Sequence, residues 1–309
     1  MRVVVALGGN AISRRGEQMT IDNQRRNLRQ ASRVLAQVAR EHQLVITHGN
    51  GPQVGQLALH NDDGYPLDVL GAETQGLIGY MIEMEMRAAM ASGQMLTTVL
   101  TLAEVDTDDP AFGDPTKFVG PVYRKDQARA LEEQHGWEFR LDGDQLRRVV
   151  PSPMPRRVVQ IDSVRRLLEA GHIVVSTGGG GIPVVQVPEG GYRGVEAVVD
   201  KDASSSVLAS SIGADVYVMA TDADAVYLDW GLPSQRALTE VDVEELAAME
   251  FPAGSMGPKV TAACRFVRTS GRPAVIGRLD QLEAILAGNA GTRVLPRPLP
   301  SQLRPVGSP

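Results

Sequence analysis

Six short runs of apolar and β-branched residues carry almost no polar alternation: Val3–Leu7, Leu44–Thr47, Leu96–Leu100, Ile173–Thr177, Val216–Ala220 and Ala274–Ile276. A strand with one wet face alternates polar and apolar side chains. A strand covered on both faces does not, and that is the habit of parallel sheets flanked by helices. Helical patterns separate the runs. Between Asn23 and Arg40, Leu28, Ala31, Leu35 and Val38 share one helical face. Residues 72–92 suit a long helix, and Val158–Ala170, Ala203–Ser211, Val243–Met249 and Lys259–Thr269 suit shorter ones. This order predicts an α/β fold with an open, mostly parallel sheet between two helix layers. At 309 residues, 43% hydrophobic and 22% charged, the chain is expected to form one large domain with room for two lobes.

One segment breaks the rhythm. Between Asp106 and Pro155 stand Pro110, Pro115, Pro121, Pro151, Pro153 and Pro155, with Gly113, Gly120, Gly136 and Gly143 among them. Structureless loops of that length are uncommon unless they are functional or form a small unit. The helical stretch Lys125–Gln134 favours a small unit, so this segment is expected to be a lid or protruding lobe. The tail Pro296–Pro309 holds five prolines and is expected to be an extended strap or disordered.

Composition removes several function classes. The net charge is −6 and no long basic block occurs, which argues against nucleic acid as a partner. An acidic protein can still bind phosphate, because a few local cations dominate a site. The single cysteine, Cys264, allows no internal disulfide and sits among Ala262, Ala263 and Val267 as a core residue. The run after Arg2 is too short for a secretory leader, and no stretch approaches the length of about 18 apolar residues that a membrane helix needs. A cytoplasmic protein without a membrane contact is the expectation.

The chemistry gathers at glycine-rich turns after strands. Gly8–Gly9–Asn10 follows the first run, and its backbone N–H groups can turn toward an anion. His48–Gly49–Asn50–Gly51–Pro52 follows the second, with Pro52 suited to the first turn of a helix whose positive end faces the same anion. Two such turns on neighbouring parallel strands converge where open α/β sheets bind ligands. His48 is either a general base or, as expected, an imidazole that holds its loop. Gly178–Gly181 implies close approach to a ligand or another backbone, or else a flexible link to the hairpin-like stretch Val184–Tyr192. Asp200–Lys201–Asp202 stands at a helix start, where Asp202 either caps the helix or holds lysines, and Lys201 would face phosphate. Gly254–Ser255–Met256–Gly257–Pro258–Lys259 opens another helix and presents Lys259 to a nucleotide phosphate, although it is not the usual phosphate-loop pattern. Thr221–Tyr227 reads as a nucleoside-contacting loop, with Tyr227 near base or ribose. No side-chain set reads as a protein-held metal site.

These strings, in this order, resemble the carbamate kinases of the amino acid kinase family. The matching segments include Ala6–Ala11, Thr47–Gly55, Gln75–Met81, Pro115–Lys117, Val150–Pro153, Gly178–Val184, Gly194–Asp202, Asp224–Tyr227 and Gly254–Val260, and coverage runs from residue 3 to about 292. The resemblance implies an open sheet of about eight strands in a single domain, 1–309. Residues to about 190 would bind carbamate or carbamoyl phosphate and include a protruding subdomain at about 106–158. Residues 191–309 would bind ATP or ADP with Mg²⁺. It also implies a homodimer that catalyses ATP + carbamate ⇌ ADP + carbamoyl phosphate, running toward ATP in arginine catabolism.

The resemblance further implies site roles. Many family members carry a lysine just before the first Gly-Gly. Here those positions hold Ala6 and Leu7, so the missing cation would come from Lys117 on the protruding lobe. Lys117, Lys201 and Lys259 would surround the transferring phosphoryl group, with Asp202 orienting the lysines. Gly8, Gly9, Asn10, Gly49, Asn50 and Gly51 would hold the acceptor, and Asp222, Ala225, Tyr227, Met256, Gly257 and Lys259 the nucleotide. The sequence departs from the pattern at Glu73–Thr74, Phe118 and Ala203–Ser205. Two alternatives stand beside this reading: a family kinase with another acceptor, such as acetylglutamate or a nucleoside monophosphate, and a catalytically idle nucleotide sensor.

Overall fold

The computed structural model describes residues 1–14, 16–61, 64–252 and 255–296. The expectations for Gly254 and for the tail beyond Pro296 lie outside those residues.

All six apolar runs become strands of one eight-stranded sheet. Its order is Glu240–Asp242, Thr292–Leu295, Ala274–Arg278, Val216–Thr221, Arg2–Leu7, Gln43–His48, His172–Val175 and Met95–Thr98. Every pairing is parallel except that of Ala274–Arg278 with Thr292–Leu295. The central strand shows why its sequence does not alternate. Val3, Val5 and Leu7 enter one apolar core, and Val4 and Ala6 enter the other. All five are fully buried, and burial of each Val or Leu is worth about 1.5–3 kcal/mol.

One helix layer holds α1 (Ile21–Val38), which Thr20 caps by accepting the Asn23 N–H at 3.2 Å. It is followed by α2 (Gly51–Leu59) and α3 (Leu67–Ala89). Next in the chain come α4 (Lys125–His135), α5 (Ile161–Glu169), α6 (Lys201–Ser211), α7 (Val243–Ala247) and α8 (Met256–Ser270). Core residues of α5 to α8 pack on the sheet face opposite α1 and α3.

Several boundaries differ from expectation. The long helix begins at Leu67, not at residue 72, because Pro66 supplies an extended N-cap and Leu67 and Leu70 are buried. The helix expected from Val158 begins at Ile161, since Pro155–Val158 is a strand. The run ending at Thr177 stops at Val175 as a strand, and Thr177 turns left-handed with φ 48°. Leu100 lies beyond its strand and is exposed.

The excursion is a built unit. Strands Lys117–Tyr123, Gln145–Val150 and Glu138–Asp142 form an antiparallel sheet beside α4. Its root is a second sheet, in which Leu102–Val105 runs out and Pro155–Val158 returns antiparallel to it. The expected hairpin near Val184–Tyr192 completes that sheet as Ile182–Gln186 with Tyr192–Gly194. Cys264 is buried in the core. Among the described residues, no helix is long and apolar enough to cross a membrane.

Candidate active site

Asp200, Lys201 and Asp202 start α6, but the cap is Asp200 and not Asp202. Asp200 Oδ1 accepts the N–H groups of Asp202 at 2.9 Å and Ala203 at 3.1 Å. The extended residue at that position is the one whose carboxylate reaches back to the first turn. Asp202 takes the other expected role. Its Oδ1 accepts Lys201 Nζ at 2.6 Å, and its Oδ2 accepts Lys259 Nζ at 2.9 Å. Lys117, the first residue of its strand, pairs with Asp200 Oδ2. Three lysines from three distant stretches therefore meet on two neighbouring carboxylates.

The electrostatics follow from burial. Burial opposes charge on Asp202, which is 3% exposed, but the two ammonium groups outweigh it and hold the carboxyl far below the carboxylate range. Burial pulls Lys201 down to about 8, against the attraction of Asp202 and with the push of Lys259. Lys259 rises instead, because its carboxylate partner outweighs its burial. Burial likewise opposes charge on Asp200, and Lys117 reverses it.

Beside this cluster stand the second and third glycine turns. Gly49 lies against the Lys201 stem, since a Cβ there would sit 3.6 Å from Lys201 Cδ. Asn50 precedes α2 and donates from Nδ2 to Thr74 Oγ1 at 2.7 Å, which gives the departure at Thr74 a structural role. Gly51 and Pro52 open α2 as expected. His48 is buried, its Nδ1 lies 3.1 Å from Gly49 O, and burial pushes its pKa down to about 4. It is a neutral ring that holds the loop. The run Gly178–Gly181 is close approach, not a link. A Cβ on Gly178 would meet His48 Nε2 at 2.5 Å, one on Gly179 would meet Asn50 Nδ2 at 2.3 Å, and one on Gly180 would meet Val199 O at 2.2 Å.

The first glycine turn needs a correction. Gly8 does not aim its N–H at a ligand; it donates to Ala220 O at 3.0 Å. Glycine is required there because a Cβ would sit 2.7 Å from that same oxygen. Gly9 and Asn10 open a one-turn helix whose first N–H groups have no intrahelical acceptor.

A cavity of about 1000 Å³ adjoins the cluster, and Lys259 belongs to both. Asp222, Ala225, Tyr227 and Met256, read in the sequence as nucleotide contacts, are in its wall, and so are Gly8, Gly9 and Asn10, which were expected at the acceptor. Asn10 Nδ2 donates to Asp222 Oδ2 at 2.8 Å and so ties the first turn to the nucleoside loop. Gly257 is not in the wall; its N–H donates to Pro252 O at 3.0 Å. Lys117, Lys201, Gly49, Asn50 and Gly51 also lie outside the wall, at the Asp202 cluster or its flanking turn. Sequence reading missed much of the wall, including Arg14, Trp230, Arg278 and Asp280. Trp230 had a usable signal, a large aromatic beside the Gly231–Pro233 turn, but Arg14, Arg278 and Asp280 carry none beyond their polarity.

A strand-edge crevice with glycine turns, buried lysines and a nucleotide-sized cavity defines a phosphoryl-transfer fold. The chain belongs to the amino acid kinase family, whose model matches residues 1–278. Within it, the chain is 50% identical over 299 residues to the carbamate kinase of Rhizobium meliloti, covering 94% of this chain and 92% of that one. It is also 50% identical over 295 residues to the carbamate kinase of Escherichia coli strain K12, covering 94% and 98%. The structure of carbamate kinase from Giardia lamblia bound to AMP-PNP matches with a TM-score of 0.86 at 35% identity, over 96% of this chain and 98% of that one.

Proposed function

We propose that this protein is a carbamate kinase, transferring a phosphoryl group reversibly between ATP and carbamate to give ADP and carbamoyl phosphate. The observation that carries the reading is the pair of ammonium groups, Lys201 and Lys259, bound to one buried carboxylate of Asp202 at the end of the nucleotide-sized cavity. Phosphoryl transfer demands in-line placement and charge neutralisation rather than covalent help. An ammonium about 4 Å from a phosphoryl charge gains about 4 kcal/mol at an effective dielectric of 20, before desolvation.

In this reading Lys259 faces the nucleotide phosphates and Lys201 and Lys117 the transferring group. The opening N–H groups of Gly9–Asn10 and of α2 at Gly51 receive phosphoryl or carboxyl oxygens. The cavity wall at Ala225, Tyr227 and Met256 takes the nucleoside. Among the described residues, no three His, Cys, Asp or Glu side chains gather as a metal site, and both carboxylates nearest the lysines are held by ammonium groups. Mg²⁺ would then be held by the nucleotide rather than by a carboxylate cage, and would supply charge neutralisation at its phosphates. Carbamate decomposes readily in water, which gives the excursion carrying Lys117 a reason to cover the site.

We also propose a cytoplasmic homodimer that works toward ATP in carbamoyl phosphate breakdown, as in arginine catabolism. The exposed Tyr80, Met84 and Met95 lie next to the free edge of strand Met95–Thr98 and support self-association on that side. The deciding experiment is coupled ATP formation from ADP and carbamoyl phosphate with Mg²⁺. Turnover with acetylglutamate or a nucleoside monophosphate instead assigns another acceptor, and nucleotide binding without transfer assigns a sensor.

A further inference from the structure

We infer that Asp200 is a positioning residue that holds Lys117 at the phosphoryl site and ties the excursion to α6, the helix that carries Lys201 and Asp202. The inference rests on the kinase reading above. Its starting point is the division of labour between the two oxygens of Asp200. Oδ1 accepts two N–H groups at the start of α6, and Oδ2 pairs with Lys117, 83 residues earlier in the chain. The carboxylate therefore stands with one oxygen in the core and one on the excursion.

Lys117 has no other ion-pair partner among the described residues. Its strand meets the rest of the protein chiefly through α2 and through this pair. The side chains of Lys117 and Asp200 keep 28% and 23% of their exposure, so the pair sits at the surface of the site, within reach of an arriving anion. An ammonium has three donors. One can stay on Asp200 while another reaches a phosphoryl oxygen, so Asp200 fixes the donor without consuming it. Asp202 treats Lys201 and Lys259 in the same way. The site thus repeats one arrangement, with each lysine anchored by a carboxylate.

Asp200→Asn isolates this role, because asparagine caps helices as well as aspartate but carries no charge. The expected result is a kcat for ATP formation lowered by about 10–100-fold, with the KM for ADP within about twofold, since Lys117 lies outside the nucleotide cavity. In a double-mutant cycle with Lys117→Ala, the Asp200 change should have no further effect once Lys117 is gone. A structural role alone would give additive losses, and additivity overturns the inference. Asp200→Ser, another good cap, repeats the cycle if the asparagine variant unfolds. A second arm does not depend on turnover. Competitive acetylation of the lysines, read by peptide mass spectrometry at pH 8, should modify Lys117 at least about tenfold faster in Asp200→Asn than in the wild type. Equal rates overturn the inference whether or not the protein makes ATP. An inactive wild-type protein with the labelling difference intact removes the kinase reading and leaves the pair standing.

Discussion

Asp202 Oδ2 accepts Lys259 Nζ at 2.9 Å across 57 residues of chain, in the heart of the site. The same carboxylate accepts Lys201 Nζ on its other oxygen. One buried anion thus stores two cations that would otherwise repel each other, ready for a more highly charged guest.

Removing either cation should slow transfer more than it weakens binding. Lys201→Ala and Lys259→Ala are expected to lower kcat by about 10²–10³, the scale of a lost oxyanion donor. Steady-state kinetics of ATP formation checks this, and a kcat within threefold of wild type removes that lysine from the mechanism.

Removing the anion should act on stability first. Asp202→Ala leaves two lysine side chains, 12% and 14% exposed, without the carboxylate that both of them bind. The expected cost is about 3–5 kcal/mol. Urea unfolding measures it, and added inorganic sulfate should stabilise the variant more than the wild type. Equal sulfate effects contradict the account.

Lys201 sets an alkaline limit. Its pKa is pulled from an ordinary 10.5 to about 8, so the ammonium is present below about pH 8 and lost above it. kcat/KM for carbamoyl phosphate should fall above an apparent pKa near 8 in the free enzyme. Bound phosphoryl charge favours the ammonium, so the kcat profile should bend at higher pH. A flat kcat/KM profile to pH 10 is incompatible with this.

His48 sets an acid limit. Its folded pKa of about 4 lies below the ordinary 6.5 because the ring is buried. The folded state therefore binds fewer protons between those values. Its contribution to stability is full above pH 6.5 and is lost as the pH falls to 4, by at most about 3 kcal/mol. Urea midpoints at pH 7 and pH 4.5 test it, and His48→Gln should flatten the difference.

Trp230 should report the nucleotide. It is 70% exposed, lines the cavity, and stands edge-on to Tyr227 at 5.1 Å. The chain has two tryptophans, and the other, Trp137, stacks on Arg148 in the excursion. Emission should change on adding ADP. That change should vanish in Trp230→Phe and persist in Trp137→Phe, and the opposite pattern moves the nucleoside elsewhere.

The main sheet was legible in the sequence because burial on both faces writes itself as uninterrupted apolar runs, as in Val3–Leu7. The start of α3 was hidden, since Gly71 and Asp68 break the pattern in a helix whose buried face is narrow. Glycines were legible as constraints but not as to which atom imposes them. Gly8 was expected to serve an anion, yet a strand carbonyl requires it. The three lysines and Asp202 were legible from their motif surroundings. The split between Asp200 and Asp202 was not, because a shift of two residues in the helix start decides which carboxylate caps and which points inward. Arg14, Arg278 and Asp280 reach the cavity only through tertiary folding.

The excursion is joined to α2 where Gly55 and Gly120 touch. A Cβ on Gly55 would lie 2.0 Å from Gly120 Cα, and Gly120 itself holds φ +71°. Main chain rests directly on main chain there, a few residues from Lys117, so a side chain at Gly55 would collide with backbone and one at Gly120 would be strained. Divergence toward a new acceptor is thereby steered away from this joint and into the side chains farther along the arm.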